Sequence, residues 1–100
     1  MKQLEGKDVC PIRAVAELLS DTWTMLLMRA LTESPKRFCE LEAWLGTIST
    51  RTLTLKLQRL TEQELIIKRD DGYYAPTAKG KGLKIIERAM ITYGERYLTP

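Results

Sequence analysis

Histidine is absent from this chain of 100 residues, and cysteine occurs only twice, at Cys10 and Cys39. Because protein zinc sites are built from histidine and cysteine at short spacings, two distant thiols without histidine argue against a metal centre, and no cofactor is expected. A disulfide between the two thiols is disfavoured in a reducing cytosol. A bond between subunits or a redox-active thiol stays open.

Long apolar runs are also missing from the sequence. No segment approaches the roughly 20 apolar residues that a membrane-spanning helix needs. Charges are mixed into the first ten residues, where a signal peptide would be apolar. We therefore expect a cytoplasmic protein with no membrane partner.

Signs of catalysis are lacking as well. The chain has no nucleophile paired with a base, no pair of carboxylates in a supporting context and no glycine loop able to cradle phosphate. The sequence therefore does not predict an enzyme.

Positive charge is in modest excess and unevenly distributed. The chain has 16 basic and 13 acidic residues, a net charge of +3 and a pI near 9. Between Lys36 and Lys84 there are ten Lys or Arg but six Asp or Glu. Such a basic half, in a chain long enough for one domain over residues 1–100, is compatible with nucleic-acid binding.

Apolar spacing and turn signals predict a mainly α fold with a small β-hairpin, in the order α-α-α-α-β-β-α. The predicted helices cover residues 11–20, 22–32, 38–45, 50–63 and 78–97, with caps at Asp21, Ser49 and Thr77. Strands are predicted at 65–69 and 73–76, because the Asp-Gly pair between them favours a tight turn. The predicted inward positions are Trp23, Leu26, Leu27, Ala30 and Leu31 in the second helix, Phe38, Leu41 and Leu45 in the third, and Leu53, Leu57, Leu60 and Glu64 in the fourth.

Residues 38–60 have the pattern of a helix-turn-helix, because a glycine turn at Gly46 joins two short helices. The second helix, which would enter the major groove of DNA, carries three cations between residues 50 and 60 and no acid. Arg51, at its start, can donate to both O6 and N7 of guanine. The residues predicted to contact bases are Thr50, Arg51, Thr54, Leu55 and Gln58. An ordinary solvated helix surface is the alternative for each of them.

A second set of residues is predicted to contact DNA phosphates, which would position the protein without reading sequence. The set comprises Lys36, Arg37, Ser49, Lys56, Arg59, Lys68, Arg69 and Lys79. Ser49 is expected to act first as a helix cap. For any single cation in the set, a solvated surface position is equally consistent.

The last predicted helix aligns apolar residues on one stripe and needs a surface to cover it. That cover could be the first helix of the same chain or the matching helix of a second subunit. The predicted subunit contacts are Ile12, Leu83, Ile86, Met90, Tyr93 and Tyr97. Trp23 and Trp44 are expected to anchor the core or an interface, and Cys39 is expected to be structural. Tyr73 and Tyr74 should alternate across their strand, with one inward and one outward.

Several segments in this order resemble the HxlR-type winged-helix transcriptional regulators, which are related to the MarR group. They are Cys10-Pro11, Asp21-Thr22-Trp23-Thr24, Lys36-Arg37-Phe38-Cys39-Glu40-Leu41, Ile48-Ser49-Thr50-Arg51-Thr52-Leu53 and Ala75-Pro76-Thr77-Ala78-Lys79-Gly80. The resemblance spans nearly the whole chain. It implies a small homodimer that binds palindromic double-stranded DNA and regulates nearby genes. It does not identify a small-molecule effector.

Two features depart from the family pattern. The chain has Asp21-Thr22 where the family usually has Gly-Lys before the tryptophan, and its turn at residues 70–72 is shorter than the family's proline-rich wing. The resemblance also implies oxidant or electrophile sensing at Cys10, for which a packed interface residue is the alternative. A rival to the DNA-binding interpretation is a winged helix that docks on a partner protein through the Arg51, Leu55 and Gln58 face.

Overall fold

The computed structural model describes residues 10–100 and contains, in that range, six helices and two strands. Residues 1–9 lie outside the described part. The helices are α1 (Pro11–Leu18), α2 (Thr22–Glu33), α3 (Phe38–Leu45), α4 (Thr50–Glu62), α5 (Ala78–Lys81) and α6 (Lys84–Tyr97); the strands are β1 (Ile66–Lys68) and β2 (Tyr74–Pro76). The predicted winged helix-turn-helix is confirmed. Among the described helices, none combines the length and apolar character that a membrane crossing requires.

Short polar side chains fix where three helices begin, at the predicted caps. Asp21 Oδ1 accepts from the backbone N–H groups of Trp23 and Thr24 at 2.7 and 2.9 Å. Ser49 Oγ and Thr77 Oγ1 each accept from the backbone three residues later, at 3.1 Å. These bonds satisfy amides that the first turn of a helix leaves without partners.

Helix α2 lies at the centre of the core, and its buried arc differs from the predicted one. It contacts α3, α4, β2, α5 and α6. Leu26 is 36% exposed, so its predicted inward position is wrong, whereas Met25 and Met28 are buried. Helix α4 is docked by Leu53, Leu57 and Leu60 as predicted, but Glu64 is exposed and lies beyond the helix end with φ of 62°. The buried apolar residues are Met25, Leu27, Met28, Ala30, Leu31, Leu41, Ile48, Leu53, Leu57, Leu60, Leu65, Ile66 and Leu83.

The hairpin is antiparallel and pairs Ile66 with Pro76, Ile67 with Ala75 and Lys68 with Tyr74. Its turn uses Gly72 at φ of 88°, a backbone conformation that glycine adopts without strain. Beyond the hairpin, Lys36 forms an isolated β-bridge with Tyr74. The Lys36 N–H donates to the Tyr74 carbonyl at 3.1 Å, and the Tyr74 N–H donates to the Lys36 carbonyl at 2.8 Å. The hairpin of residues 66–76 is the wing of the winged helix. The sequence did not predict the bridge, which ties the wing to the connection between α2 and α3.

The last predicted helix is not continuous, which corrects the predicted element order to α-α-α-α-β-β-α-α. Helix α5 ends at Lys81 and α6 begins at Lys84. Glycines at 80 and 82 lower the helix propensity there, and a Cβ atom on Gly80 would lie 2.1 Å from the Leu65 carbonyl oxygen. The break lies beside Leu83, which is buried in the core. The predicted role of Leu83 in subunit contact is therefore wrong.

Helices α1 and α6 contain no buried residue. Ile12 is 77% exposed, Tyr93 59% and Tyr97 64%, and Met90 is also exposed. Only Ile86 of the predicted α6 contacts packs partly against the core. The first helix of the same chain therefore does not cover the apolar surface of α6.

Candidate nucleic-acid interface

The turn between α3 and α4 sets the position of the second helix of the helix-turn-helix. Gly46 ends α3 at φ of 77°, with its N–H donating to the Glu42 carbonyl at 2.9 Å. Ile48 is buried, so the turn is anchored to the core. Thr50 Oγ1 then donates to Glu42 Oε2 at 2.6 Å. The two helices are thus joined by a side-chain bond as well as by the chain.

The side of α4 opposite its buried leucines is open to solvent. At 100° per residue, Arg51, Leu55, Gln58 and Glu62 lie closest to the outward direction. All four are exposed, and Leu55 is 52% exposed. This arrangement brings three of the predicted base-contacting residues onto one line. Glu62, which sequence reasoning did not single out, adds a carboxylate at the C-terminal end of that line.

The two predicted base-contacting threonines already use their hydroxyl protons. Thr50 donates to Glu42, and Thr54 Oγ1 donates to the Thr50 carbonyl at 2.9 Å. Their remaining capacity is to accept hydrogen bonds, which on DNA suits the amino groups of adenine and cytosine.

Lys56 does not project freely from α4, because its ammonium pairs with the Asp21 carboxylate at the start of α2. Partial burial alone would raise the pKa of Asp21, but hydrogen bonds from Lys56 and from the Thr24 and Trp23 amides lower that pKa. The pair fixes α4 against α2. Its geometry does not support the predicted phosphate contact of Lys56.

The predicted phosphate contact of Lys36 is wrong. The residue is 7% exposed, and its ammonium donates to the Ala30 carbonyl at 2.7 Å. It also bonds Glu33 Oε1 at 3.1 Å and both oxygens of Ser34 at 3.0 and 3.3 Å. Lys36 is therefore a buried cation that satisfies the C-terminal end of α2, where positive charge complements the helix dipole.

The remaining predicted cations lie on two sides of α4. Thr54, Gln58 and Lys68 line an open cleft of about 710 Å³ beside the wing, whose floor includes Phe38 and Leu57. On the other side, Arg59 and Lys79 line a depression next to α1. Lys79 also donates to the Gln63 carbonyl at 2.9 Å.

The wing carries its cations on aromatic faces. Lys68 Nζ lies 5.6 Å from the centre of the Tyr74 ring. Arg37 and Arg69 lie 4.8 and 5.6 Å from the centre of the Tyr73 ring. Tyr74 packs against the core, whereas Tyr73 contacts the two guanidinium groups. Tyr74 therefore takes the inward position predicted for one of the two tyrosines, whereas Tyr73 precedes strand β2 and is also half-buried.

Both cysteines are exposed. Cys10 precedes α1 at its cap position, and Cys39 is the second residue of α3. The predicted structural role of Cys39 is wrong, because an exposed thiol does not fill the core. Within residues 10–100, no group of three or more acidic, cysteine or histidine side chains has the proximity that a metal ion needs.

Trp44 is exposed as well, and its Nε1 donates to Glu33 Oε1 at 3.2 Å.

Comparison with known proteins identifies this helix-turn-helix. The HxlR-like helix-turn-helix family matches residues 18–100. The chain belongs to this family. It is 35% identical to an uncharacterised HTH-type transcriptional regulator of Synechocystis sp., with 94% of this chain and 74% of that protein covered. It is 26% identical to the HTH-type transcriptional regulator YodB of Bacillus subtilis, with 95% and 91% covered.

Solved structures agree with this assignment. The quinone-bound form of B. subtilis YodB is similar with a TM-score of 0.81 at 27% identity, covering 89% of this chain and all of that one. A MarR-family regulator of Porphyromonas gingivalis, at 22% identity and a TM-score of 0.82, shares the fold. As an HxlR-like protein, the chain is a DNA-binding transcriptional regulator.

Proposed function

We propose that two copies of this HxlR-like regulator form a homodimer that binds a pseudo-palindromic operator in the cytoplasm. The two α4 helices would enter successive major grooves roughly 34 Å apart. The observation that carries the proposal is the outward face of α4, where Arg51, Leu55 and Gln58 are exposed and make no contribution to the core. Catalysis forms no part of the proposed function, since the relatives named above are regulators.

The dimer is proposed from the uncovered apolar residues of α1 and α6. A contiguous exposed apolar surface on a small domain commonly marks a protein interface. Here Ile12 in α1 and Met90, Tyr93 and Tyr97 in α6 are all exposed, with the two tyrosine rings 4.9 Å apart. A shallow, open depression on α6 is also accessible to a helix of a second copy, and it is lined by Arg88, Ala89, Thr92, Tyr93, Arg96 and Tyr97.

DNA reading is tested by the double change Arg51→Ala, Gln58→Ala. Fluorescence anisotropy would compare fragments from the upstream region of the gene with an unrelated duplex at several salt concentrations. Since one bidentate base contact contributes about 1–3 kcal/mol of discrimination, we expect the variant to lose roughly tenfold or more in specific affinity. Binding to the unrelated duplex should fall much less.

The control for this experiment is Lys84→Ala, which removes a cation that lines a depression between α2, α3 and α6, away from the outward face of α4. It should keep the preference for the operator. If the double variant retains full preference, α4 does not read bases. If the wild type shows no salt-sensitive DNA binding either, the α4 face would instead be assigned to a protein partner.

The dimer is tested by Tyr93→Glu, which places a charge on the exposed stripe of α6. Sedimentation should show a dimer for the wild type and a monomer for the variant, with operator affinity reduced because half-sites would bind separately. Ile67→Glu is the matched control, since Ile67 is also half-exposed but lies in the wing. A dimeric Tyr93→Glu variant would place the interface elsewhere.

Redox control is proposed for Cys10, whose thiol is exposed at the cap position of α1. Solved forms of YodB include a quinone-bound and a diamide-treated structure. We expect diamide to change the operator affinity of the wild type and of Cys39→Ser, but not of Cys10→Ser. An unchanged wild-type affinity after diamide would remove the sensing role.

A further inference from the structure

The wing contains an anion-binding arrangement of its own, made by Arg69 and the backbone of Tyr73. Arg69 Nη2 donates to Asp71 Oδ2 at 2.5 Å, and the Tyr73 N–H donates to Asp71 Oδ1 at 3.0 Å. One guanidinium and one backbone amide thus hold both oxygens of a single carboxylate. This is also a donor set that proteins use for phosphate oxygens.

The Asp71 carboxylate is held in its charged form. The hydrogen bond from the Tyr73 amide, followed by that from Arg69, lowers the pKa of Asp71 below its ordinary value. The side chain is an anion at neutral pH, as an aspartate ordinarily is, and it lies next to the cation that was predicted to meet DNA. The net charge of residues 68–71 is zero, because the two cations Lys68 and Arg69 are balanced by Asp70 and Asp71.

Tyr73 links this arrangement to the helix-turn-helix. The centre of its ring lies 4.8 Å from the guanidinium carbon of Arg37, the cap residue of α3, and 5.6 Å from that of Arg69, which directly follows strand β1. The two guanidinium carbons are therefore separated by no more than about 10 Å. Stacking on an aromatic face restricts the orientation of each guanidinium, so both cations are positioned before any ligand arrives.

We propose that Arg37, Tyr73 and Arg69 form one phosphate-contacting unit whose anion position is occupied by Asp71 in the free protein. Tyr73 acts as a positioning residue that keeps the two arginines together. Asp71 acts as an internal competitor that a DNA phosphate must displace from Arg69. The inference rests on the proposed DNA binding. It adds an intramolecular ion pair that lowers the affinity of the wing for any duplex, whatever its sequence.

The consequence is a sequence-independent penalty, because phosphates are common to all DNA. With Asp71 in place, Arg69 is already neutralised and releases few counterions from DNA. With Asp71 removed, Arg69 is free to neutralise one phosphate, and the slope of log K against log salt should steepen by about 0.9.

The decisive experiment compares Asp71→Asn with Asp70→Asn in anisotropy titrations on an operator fragment and on an unrelated duplex. Both variants remove one negative charge from the wing, but of these two carboxylates the Arg69 guanidinium donates only to that of Asp71 in the described residues 10–100. We expect Asp71→Asn to bind both duplexes about two- to fivefold more tightly than Asp70→Asn, the range of a modest ion pair. Equal affinities and equal salt slopes for the two variants would overturn the proposal.

Arg69→Ala completes the comparison. In the wild-type background, Arg69→Ala should change the DNA affinity less than twofold. Combined with Asp71→Asn, it should abolish the increase in DNA affinity that Asp71→Asn produces alone. If Arg69→Ala weakens the wild type as much as it weakens Asp71→Asn, Asp71 does not occupy the phosphate position. Because the readout includes an unrelated duplex, these outcomes remain measurable even if operator reading fails.

Tyr73 is tested in the Asp71→Asn background. Tyr73→Phe keeps the ring and should keep the gain in affinity and the steeper salt slope, whereas Tyr73→Leu should lose both. Thermal unfolding of each variant checks that the hairpin is folded. If Tyr73→Leu keeps the gain, the ring does not position the arginines.

Discussion

Lys36 offers a direct test of how the fold uses a cation that the sequence assigned to DNA. Replacing it with methionine keeps most of the buried stem and removes the ammonium. The Ala30 carbonyl, which lies at the end of α2, would lose its 2.7 Å charged partner, and Ser34 and Glu33 would lose theirs. The ammonium also lies 5.7 Å from the centre of the Trp44 ring, so the substitution removes this cation–π contact together with the polar contacts at the end of α2.

The expected cost follows from those contacts. A hydrogen bond to a charged group contributes about 1.5–3 kcal/mol, while burying methionine in place of a lysine stem offsets part of the loss. We expect Lys36→Met to lower the free energy of unfolding by about 2 kcal/mol. For a domain of this length, that loss corresponds to a decrease in Tm of roughly 8–16 °C.

The assay combines thermal unfolding with the salt dependence of DNA binding measured below the variant's transition. Lys36→Met should lose stability and keep the salt slope of the wild type. Lys68→Met, which removes an exposed wing cation, should show the opposite pattern, with little loss of stability and a shallower slope. A stable Lys36→Met protein whose salt slope becomes shallower by about 0.9 would refute the reasoning, because Lys36 would then be a phosphate contact after all.

Two further substitutions test the fold. Gly80→Ala should lower the free energy of unfolding, measured in urea, by about 1–3 kcal/mol or more, because its Cβ would lie 2.1 Å from the Leu65 carbonyl oxygen. Gly94→Ala, whose Cβ would lie in open space, should be neutral or stabilising. Equal effects of the two substitutions would contradict the close approach. Asp21→Asn keeps a good helix cap but loses the charge paired with Lys56, so it should be less stable than the wild type by up to about 1 kcal/mol at pH 7. Because the pKa of Asp21 is lowered on folding, the charge stabilises the protein fully above about pH 4, and the difference should shrink as the pH falls through the folded-state pKa. A difference that does not change with pH below about pH 4 would exclude the charge as its cause.

Local signals predicted the helix starts and the hairpin because those features depend on neighbouring residues. Asp21, Ser49 and Thr77 accept from amides two or three residues along the chain, and Gly72 supplies the conformation that a tight turn needs. The outward line of α4 also follows from helical periodicity alone. Sequence reasoning could therefore place these residues without knowing the tertiary structure.

Interactions between distant segments were the part that sequence could not supply. In the sequence, Lys36 is one of several basic residues near the start of a helix. Only the tertiary structure shows that its ammonium donates to the Ala30 carbonyl at the end of α2. The close approach of the Leu65 carbonyl to Gly80 in α5 joins residues that are 15 positions apart, so no local pattern reports it. Cys39 was assigned to the interior from residue type, yet its position on the first turn of α3 leaves it exposed.

The open face of α4 has a consequence for how such a regulator changes over evolutionary time. Leu53, Leu57 and Lys56 hold the helix in place, and none of them lies on the outward line. Residues such as Arg51 and Gln58 can therefore be exchanged with little effect on folding. New operators can be acquired by single substitutions there, so a gene duplicate could take over a different promoter while its architecture stays the same.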